Sequence, residues 1–445
     1  MNCKHCGEQV GEEHKFCPFC GKNLFEEEVT AAAETQPVKK PVKKWVLVTA
    51  IVGAVAALVV LAGVLLLAMG VDFLPRANDI KKKDSYTVSE EKAAKKADDV
   101  IATVGGKELT NSQLMLYYRS QTMDFINYYS SYLSTIGMDY TKPLDEQSCY
   151  FDGYKDQTWQ QYLLEASIKT WENYQLMGLL AEEAGFTLSE ETRAVLDKFP
   201  EDLKAQAEEG EYESVDALLQ DVIGPGCTMD NYMAFVELAY LSGEYHASQS
   251  EALMPTDEEA EAYFDENAED FAQSGITKES GLYSSVRHIL VIPEGGTTNE
   301  ETQETTYTDS EWAAALVKAQ SILDEWKSGE ATEESFGKLA ETYTEDGGSK
   351  TTGGLYEGVY YGSGMVEEFQ NWAIDSGRVT GDTEIVKTKF GYHIMYFVNG
   401  EQNWLRSARV NLLSERTTEM IENASQKWPL EVKYGKISIP ELKLT

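Results

Sequence analysis

A run without any charged side chain, from Trp45 to Val71, most constrains what this chain can fold into. It is longer than the roughly 20 apolar residues that a helix needs to cross a bilayer. A signal peptide is the alternative, but its apolar region spans about 7–15 residues and lies nearer the N-terminus. We therefore predict one transmembrane helix over residues 45–71, with the chain before it and the chain after it on opposite sides of a membrane.

The segment before this run contains two closely spaced cysteine pairs, Cys3-x-x-Cys6 and Cys17-x-x-Cys20. Each pair places two thiolates about one turn apart, and two pairs complete a tetrahedral site for zinc. The module resembles the short zinc ribbons at the N-termini of many bacterial membrane proteins. Four thiolates leave no open coordination position, so the zinc is expected to be structural; two disulfides are the alternative.

The compartment of the cysteine module decides the expected orientation. Four basic residues flank the apolar run on each side, so the positive-inside rule gives no preference. Zinc thiolates need a reducing compartment, which favours a cytosolic N-terminus and an extracytoplasmic remainder. The module is then a candidate for binding a cytosolic partner.

The formal net charge of −37 arises after residue 44, because residues 1–44 carry seven lysines and seven carboxylates. An acidic excess of this size repels phosphates, so a nucleic-acid ligand is not expected. It suits cationic ligands or basic unfolded polypeptides. A solvated acidic surface without a specific role is the alternative interpretation.

After a charged spacer over 72–97, residues 98–280 are predicted to be mostly helical. VIATV, Gly105-Gly106 and KEL predict a short hairpin. Thr110 with Gln113 has the spacing of a capping box, and Thr256 with Glu259 repeats it. One face of a long amphipathic helix is marked by apolar residues three or four positions apart: Leu164, Ile168, Trp171, Tyr174, Met177, Ala181 and Ala184.

The pattern changes to α+β over residues 281–400. VRHILV predicts a buried strand ended by Pro293, and a long polar loop follows at 294–310. WAAALVKAQSILDEWK predicts a helix, and EIVKTKFGYHIMYFV predicts two strands joined at Phe390-Gly391. Residues 401–445 contain one more helical stretch, which we expect to pack on the preceding helical region.

Four stretches of this α+β region resemble the parvulin family in order and spacing. They are RHILV at 287–291, TEDGGSKTTGGL at 344–355, GMVEEF at 364–369 and TKFGYHI at 388–394. VIATVGGKELTNSQL resembles, more loosely, the chaperone domain of the PrsA/SurA foldases. The resemblance implies a parvulin domain, an antiparallel sheet with flanking helices, after a helical chaperone domain.

The resemblance also implies the catalytic residues of a peptidyl-prolyl cis/trans isomerase. His288 and His393 would come from adjacent strands and face each other, and Thr388 would lie beside them and fix their tautomers. Asp346 would act electrostatically on the carbonyl side of the amide. Each histidine taken alone is more typical of a structural role, and Asp346 alone is typical of a turn.

The same resemblance implies a slot for the proline ring formed by Leu355, Met365 and Phe369, with Phe390 at its edge. An X-Pro bond rotates over a barrier of ~18–20 kcal/mol. Lowering this barrier needs an apolar slot and a polar frame, and no catalytic cofactor. The family commonly has Gly-Asp-Leu-Gly where this chain has Gly-Gly-Leu-Tyr at 353–356, which bears on the shape of the turn.

The sequence therefore predicts a multidomain, single-pass membrane protein that acts on unfolded or secreted polypeptides containing X-Pro bonds. The alternatives are a holdase with a catalytically silent parvulin fold, and a surface or sensor protein with a cytosolic zinc ribbon. The acidic loop after the first strand lacks a basic cluster, so phosphate selectivity is not expected. The predicted segments are a zinc ribbon (1–24), a linker (25–44), the transmembrane helix (45–71), a spacer (72–97), the chaperone domain (98–280), the parvulin domain (281–400) and the C-terminal segment (401–445).

Overall fold

A computed structural model of the chain describes residues 80, 83–298 and 304–442. The predicted zinc ribbon with Cys3, Cys6, Cys17 and Cys20, the linker and the predicted membrane helix lie outside the described residues. Among the helices in the described ranges, none has both the length and the apolar character that a membrane crossing requires. The domain boundaries proposed above stay predictions.

The first part of the described chain is mostly helical and begins with the predicted hairpin. Strands β1 (Val100–Val104) and β2 (Lys107–Thr110) pair antiparallel, with Gly105 and Gly106 at positive φ in the turn. The hairpin prediction is therefore confirmed. The helices of this part are α1 (Glu90–Lys95), α2 (Asn111–Tyr128), α3 (Trp159–Ala184), α4 (Glu190–Leu196), α5 (Phe199–Glu209), α6 (Val215–Val222), α7 (Met229–Ala252), α8 (Asp257–Glu266) and α9 (Ala268–Gln273).

Capping boxes begin the main helices of this part. In each box, the threonine side chain before the helix accepts a hydrogen bond from the backbone N–H of the third helical residue, and the side chain of that third residue accepts one from the backbone N–H of the threonine. The boxes at Thr110 and Thr256, which the sequence predicted, are present, and Thr158 starts α3 in the same way. Helix α3 is buried along most of its length. Its core side chains include Leu164, Ile168, Trp171, Tyr174, Met177 and Ala181.

The C-terminal segment returns to this helical part. It forms α13 (Asn403–Lys427) and β9 (Glu431–Val432), which pairs antiparallel with β1. Ile421 and Ala424 of α13 are buried in the same core as α3. The polypeptide after the α+β region therefore helps to complete the core of the helical region.

The α+β region is built on a four-stranded antiparallel sheet in the order β6-β3-β8-β7. A small hairpin, β4 (Thr297–Thr298) with β5 (Thr305–Thr306), follows the first strand of the region. The sheet strands are β3 (Leu282–Val291), β6 (Leu355–Val359), β7 (Thr383–Thr388) and β8 (Gly391–Gln402), and the helices are α10 (Asp309–Ser328), α11 (Glu333–Tyr343) and α12 (Glu367–Ala373).

The two faces of this sheet are covered differently. Because side chains alternate along a strand, Ile289 and Val291 face one side and Val286 and His288 face the other. Helices α10 and α11 cover the first face with an apolar core. Helix α12 covers part of the second face, where the buried cluster contains Val286, Phe369, Trp372, Met395 and Phe397.

Candidate active site

The two predicted histidines meet on the second face of the sheet. Strands β3 and β8 are neighbours in a register that pairs His288 with Met395 and Leu290 with His393. The rings therefore lie side by side, with 3.0 Å between their Nδ1 atoms and 5.1 Å between their centroids. Both are buried, at 3% and 5% exposure, so each ring nitrogen depends on partners inside the protein.

Thr388, the last residue of β7, holds the outer side of this pair. It is paired with Gly391 at the start of β8, and its Oγ1 lies 2.9 Å from Nε2 of His393. The same oxygen accepts the backbone N–H of Phe390 at 3.1 Å. With that lone pair engaged, the hydroxyl proton is free to point at His393.

Asp346 reaches the pair from the turn that follows α11. The hydroxyl of Thr344 accepts from the backbone N–H groups of Leu290 and of Asp346, which fastens the turn to the end of β3. Oδ2 of Asp346 lies 3.1 Å from Nε2 of His288. Two predicted histidines, the threonine and the carboxylate therefore form one connected group, although their sequence positions span 106 residues from His288 to His393.

Ser349 belongs to this group and was not predicted. Its Oγ lies 3.1 Å from Nε2 of His288 and makes a short hydrogen bond to Oδ2 of Asp346, and its backbone N–H also points to that oxygen. The position three residues after Asp346, in a turn, is the signal that could have identified it, since Asp side chains commonly bind backbone groups two or three residues on.

The environment fixes the charge of two members of the group. The hydrogen bond with His288 holds the pKa of Asp346 well below its usual range, and although burial opposes this effect, the hydroxyl of Ser349 adds to it. Burial and, to a smaller extent, the proximity of His288 together lower the pKa of His393 to about 3, although the charge of Asp346 opposes them. Near pH 7, Asp346 is therefore a carboxylate and His393 a neutral imidazole.

The directions of the hydrogen bonds follow from these charges. A carboxylate accepts and cannot donate, so Nε2 of His288 carries a proton directed at Asp346. When each ring carries one proton, Nδ1 of His288 accepts from Nδ1–H of His393, and Nε2 of His393 accepts from Thr388. A single line of donors from Thr388 to Asp346 then fixes both rings.

An apolar slot borders this polar group. Phe369 is buried, at 2% exposure, and sets its ring edge-on to His288 and His393 at centroid distances of 5.3 and 5.4 Å. Met365 is half-buried and packs against the same cluster. Phe390 lies at the rim with 51% of its surface exposed. Phe369 and Met365 therefore lie in one cluster beside the histidines, and Phe390 lies exposed next to Thr388.

Leu355 is placed differently from the other predicted slot residues. It is half-buried, lies opposite Arg287 in the β3–β6 pair, and is not part of the cluster around Phe369. The next residue, Tyr356, lies opposite Val286 and is part of that cluster. The structure therefore brings Tyr356, and not Leu355, next to the histidines.

Tyr356 adds both a ring and a hydroxyl to the site. Its centroid is 5.3 Å from that of His288 and 6.2 Å from that of Phe369, and its hydroxyl donates to Oδ2 of Asp346 at 3.1 Å. Burial and the charge of Asp346 raise the pKa of this phenol, so it stays a donor. The sequence had marked this position as a departure from the family pattern without assigning it a role.

The glycines before Leu355 determine how closely the β6 strand approaches β3. Gly354 has φ of +73°, and a Cβ there would lie 2.2 Å from the carbonyl oxygen of His288. Its carbonyl accepts the N–H of His288 at 2.9 Å. Arg287 ties down the same turn by donating to the carbonyls of Thr352 and Gly353. A larger residue at position 354 would push Tyr356 away from Asp346.

The assembled group is suited to easing rotation about an amide bond. A twisted amide is less dipolar than a planar one, so an apolar slot disfavours the planar form relative to the twisted form. Oδ2 of Asp346 already faces four polar hydrogens, from His288, Tyr356 and both donors of Ser349, which suits a fixed charge better than a nucleophile. Within the described ranges, no group of three or more His, Cys, Asp or Glu side chains is placed to hold a metal ion.

Comparison with known proteins agrees with this geometry. Residues 288–399 match the family model for the rotamase, PPIC-type PPIase domain. The match begins at His288 and ends next to the last residues of β8, so it contains the whole group described above. The chain therefore carries a parvulin-type peptidyl-prolyl isomerase domain.

Two relatives that match a longer stretch of this chain than the family model does are named as foldases. The chain is 25% identical over 210 residues to foldase protein PrsA 3 of Bacillus anthracis, which covers 46% of this chain and 73% of that protein. The corresponding protein of Bacillus cereus is 23% identical over the same length. The crystal structure of PrsA from Bacillus subtilis aligns with 74% of this chain and 91% of that one, at 16% identity and a TM-score of 0.25.

Proposed function

We propose that this protein is a membrane-anchored, extracytoplasmic foldase that accelerates cis/trans isomerisation of X-Pro bonds in secreted polypeptides. The observation that carries the catalytic half is the hydrogen-bonded line from Thr388 through His393 and His288 to Asp346, set beside the Phe369 slot. Every member of that line is buried or half-buried and has its partners inside the domain.

In the proposed mechanism, the proline ring enters beside Phe369 and Met365, which removes water from the amide. The loss of hydration there destabilises the planar amide more than the less dipolar twisted form. Asp346 supplies a fixed negative charge beside the rotating carbonyl, and the two imidazoles hold that carboxylate in place through His288. All of these groups are preorganised before the substrate binds, so little reorganisation is needed during rotation.

The foldase half is supported by the likeness to the PrsA 3 proteins, which are named foldases and match over 210 residues, more than the isomerase domain alone. The predicted chaperone domain at 98–280 and the C-terminal segment would receive the client chain. The excess of carboxylates suits basic clients.

The location rests on the sequence outside the described residues. The charge-free run from Trp45 to Val71 supports one membrane span, and the two cysteine pairs support a zinc ribbon in the reducing cytosol, where it would bind a partner. Protease added to intact cells should degrade the C-terminal region and spare residues 1–44. Loss of the N-terminal region with retention of the C-terminal region would reverse the proposed topology.

The catalytic proposal is tested with the full-length protein in detergent. Exchange of a short X-Pro peptide between cis and trans is measured by NMR for the natural protein, for Met365→Ala and for Met365→Leu. We expect clear acceleration over the uncatalysed exchange, a loss of roughly tenfold in Met365→Ala, and near-complete retention in Met365→Leu, which conserves the volume and the apolar surface. Exchange at the uncatalysed rate in the natural protein would refute the proposal.

A holdase with a silent parvulin fold is the second candidate. The observation that favours it is Tyr356, whose ring and hydroxyl occupy space next to His288 and Asp346 where the family commonly has glycine. A holdase would suppress aggregation of a denatured protein without accelerating the X-Pro exchange. Aggregation suppression that is unchanged by Met365→Ala, together with no isomerisation, would favour this candidate.

A further inference from the structure

A group of exposed tyrosines at the C-terminal end of α2 has no part in the isomerase site. Tyr128 is 79% exposed, Tyr132 63% and Tyr150 52%. Their hydroxyls have no hydrogen-bond partner among the described residues. Single exposed aromatic residues are common on proteins, but several adjacent ones mark interaction sites. We call these three residues, with the half-buried Tyr129 and Phe151, the tyrosine patch.

Ring contacts make the patch continuous. Tyr128 contacts Tyr129 at a centroid distance of 4.9 Å, Tyr129 contacts Phe151 at 6.0 Å, and Phe151 contacts Tyr150 at 6.3 Å. Tyr132 belongs to the same turn, since its N–H donates to the carbonyl of Tyr129 at 2.7 Å. The surface therefore presents neighbouring aromatic faces over more than one turn of chain.

The patch rests on a rigid base. Buried Phe125 contacts Tyr129 at 4.7 Å and buried Trp159 at 5.3 Å, and Trp159 also contacts Phe151 at 5.5 Å. The segment after Tyr129 is anchored by the buried side chains of Leu133 and Met138. The core therefore fixes the two half-buried rings of the patch, Tyr129 and Phe151, which lowers the entropy lost when a ligand binds to them.

The local composition resembles that of surfaces that bind varied polypeptides. Six of the 25 tyrosines lie between residues 128 and 154, with serines among them. Tyrosine supplies contact area at a small entropy cost, and serine supplies adaptable hydrogen bonds. Free phenol groups at the surface can pair with the backbone of an extended chain.

The charge of the segment around the patch indicates which class of ligand it binds. Residues 129–158 carry five carboxylates and two lysines. Both lysines are already paired, Lys142 with Asp139 at 2.8 Å and Lys155 with Asp152 at 2.6 Å. With five carboxylates and two lysines the segment has a formal charge of −3, and the faces of tyrosine rings attract ammonium and guanidinium groups. An anionic lipid surface would be repelled.

We infer that the tyrosine patch is a binding site for extended polypeptide segments rich in lysine or arginine, separate from the isomerase slot. The inference rests on the proposed function in that the ligand is an unfolded client chain. The patch would hold a client through rings and charge while the slot acts on a proline elsewhere in the same chain. Binding would not require proline.

The test uses fluorescence anisotropy with the full-length protein in detergent and two proline-free peptides of the same length and apolar content. One peptide carries lysines and arginines, and in the other these are replaced by glutamates. We expect the cationic peptide to bind at least tenfold more tightly than the anionic one, and its affinity to fall with added salt.

The variant Tyr128→Ser/Tyr132→Ser/Tyr150→Ser should weaken binding of the cationic peptide roughly tenfold. The matched control, Leu316→Ser/Val317→Ser/Tyr343→Ser, removes exposed apolar surface from α10 and α11 and should bind like the natural protein. Equal binding by the patch variant and the natural protein, or equal loss in the control, would overturn the inference. The inference would also be overturned if the patch variant lost binding to vesicles rich in anionic lipid and still bound the cationic peptide like the natural protein.

Exchange of a short X-Pro peptide separates this inference from the proposed function. The patch variant should keep the natural exchange rate, because none of its three residues lies in the slot. Patch-dependent binding without any isomerisation in the natural protein would refute the proposed enzyme and retain the patch. Normal isomerisation without patch-dependent binding would refute the patch alone.

Discussion

The isomerase slot and the tyrosine patch are both aromatic, yet they differ in how their polar atoms are used. In the slot, the side chains of His288, His393, Asp346 and Tyr356 are hydrogen-bonded to one another or to their neighbours. In the patch, the outward hydroxyls have no partner in the described part of the chain. A site with its polar groups already engaged is shaped for one geometry, whereas a surface with free groups can adapt to many sequences.

The comparison also separates stability from binding. The slot is part of a buried core, so its residues should contribute to folding as well as to activity. The outer patch residues are exposed on top of a core and should contribute mainly to binding. The following predictions measure that difference.

The largest expected effect is on stability. Replacing Phe369 by alanine removes a buried ring from the cluster with Trp372 and Phe397, and should lower the free energy of unfolding by about 3–5 kcal/mol. Tyr128→Ala removes a ring of similar size that is 79% exposed, and should change it by less than about 0.5 kcal/mol. Denaturant unfolding measures both. Equal costs for the two substitutions would break the distinction between slot and patch.

The next effect is on catalysis. Asp346→Ala removes the charge at the end of the histidine line, and should lower kcat/KM for a short X-Pro peptide about 100-fold, which corresponds to about 2.7 kcal/mol. Glu345→Ala is the matched control, because its carboxylate binds the backbone N–H of Ile292 and not His288. A value for Asp346→Ala within a factor of two of the control would remove Asp346 from the mechanism.

A third prediction concerns pH. Because burial lowers the pKa of His393 to about 3, the unfolded chain takes up a proton below pH ~6.5 that the folded protein does not bind. This group should therefore cost roughly 2 kcal/mol of stability as pH falls from 7.5 to 5. Comparing the pH dependence of unfolding in the natural protein and in His393→Asn isolates the contribution.

His246 provides the control for this measurement. It is a buried histidine of α7 outside the isomerase site, and burial lowers its pKa as well. His246→Asn should also flatten the loss of stability at low pH, but it should leave isomerisation unchanged. If His393→Asn leaves the pH dependence as steep as in the natural protein, His393 is not the neutral, buried imidazole described above.

The smallest expected effect comes from Tyr356→Phe. This change keeps the ring and removes one of the donors to Asp346, so kcat/KM should fall about three- to tenfold, or roughly 1 kcal/mol. As the pH is lowered, the activity of the variant should also begin to fall at a higher pH than that of the natural protein, because Asp346 becomes easier to protonate. A rise in activity would instead indicate that the hydroxyl obstructs the substrate and would strengthen the holdase candidate.

Much of the fold could be predicted from the sequence, because the patterns that mark its hairpin and helices are local. The β1–β2 hairpin has its glycine turn, the helices have their capping boxes, and the length of α3 follows from apolar residues repeated every three or four positions. The β4–β5 hairpin was predicted as part of a polar loop, because two pairs of threonines carry no apolar alternation. Strand β6 contains Gly358 and directly follows Gly353 and Gly354, and these glycines interrupt the pattern by which a strand is predicted.

The sequence predicted only part of the candidate site. Residues that belong to a family motif could be predicted, and residues that join the site through their contacts in the fold could not. His288, His393, Asp346 and Thr388 carry a spacing that resembles a known family, and the structure brings them together. Ser349 acts through a turn, and no repeated pattern marks it. Leu355 and Tyr356 are adjacent in sequence, so their order along the chain cannot say which one reaches the slot.

The sequence by itself determined the residue types of the site, the order of the elements that carry them, and the separation of an acidic folded part from a charge-free run. Only the tertiary structure decided which face of the sheet each residue occupies. That choice depends on strand register, which pairs Val286 with Tyr356 and Leu290 with His393. Register is set by contacts between residues distant in sequence, and a shift of one position would move every side chain of a strand to the other face.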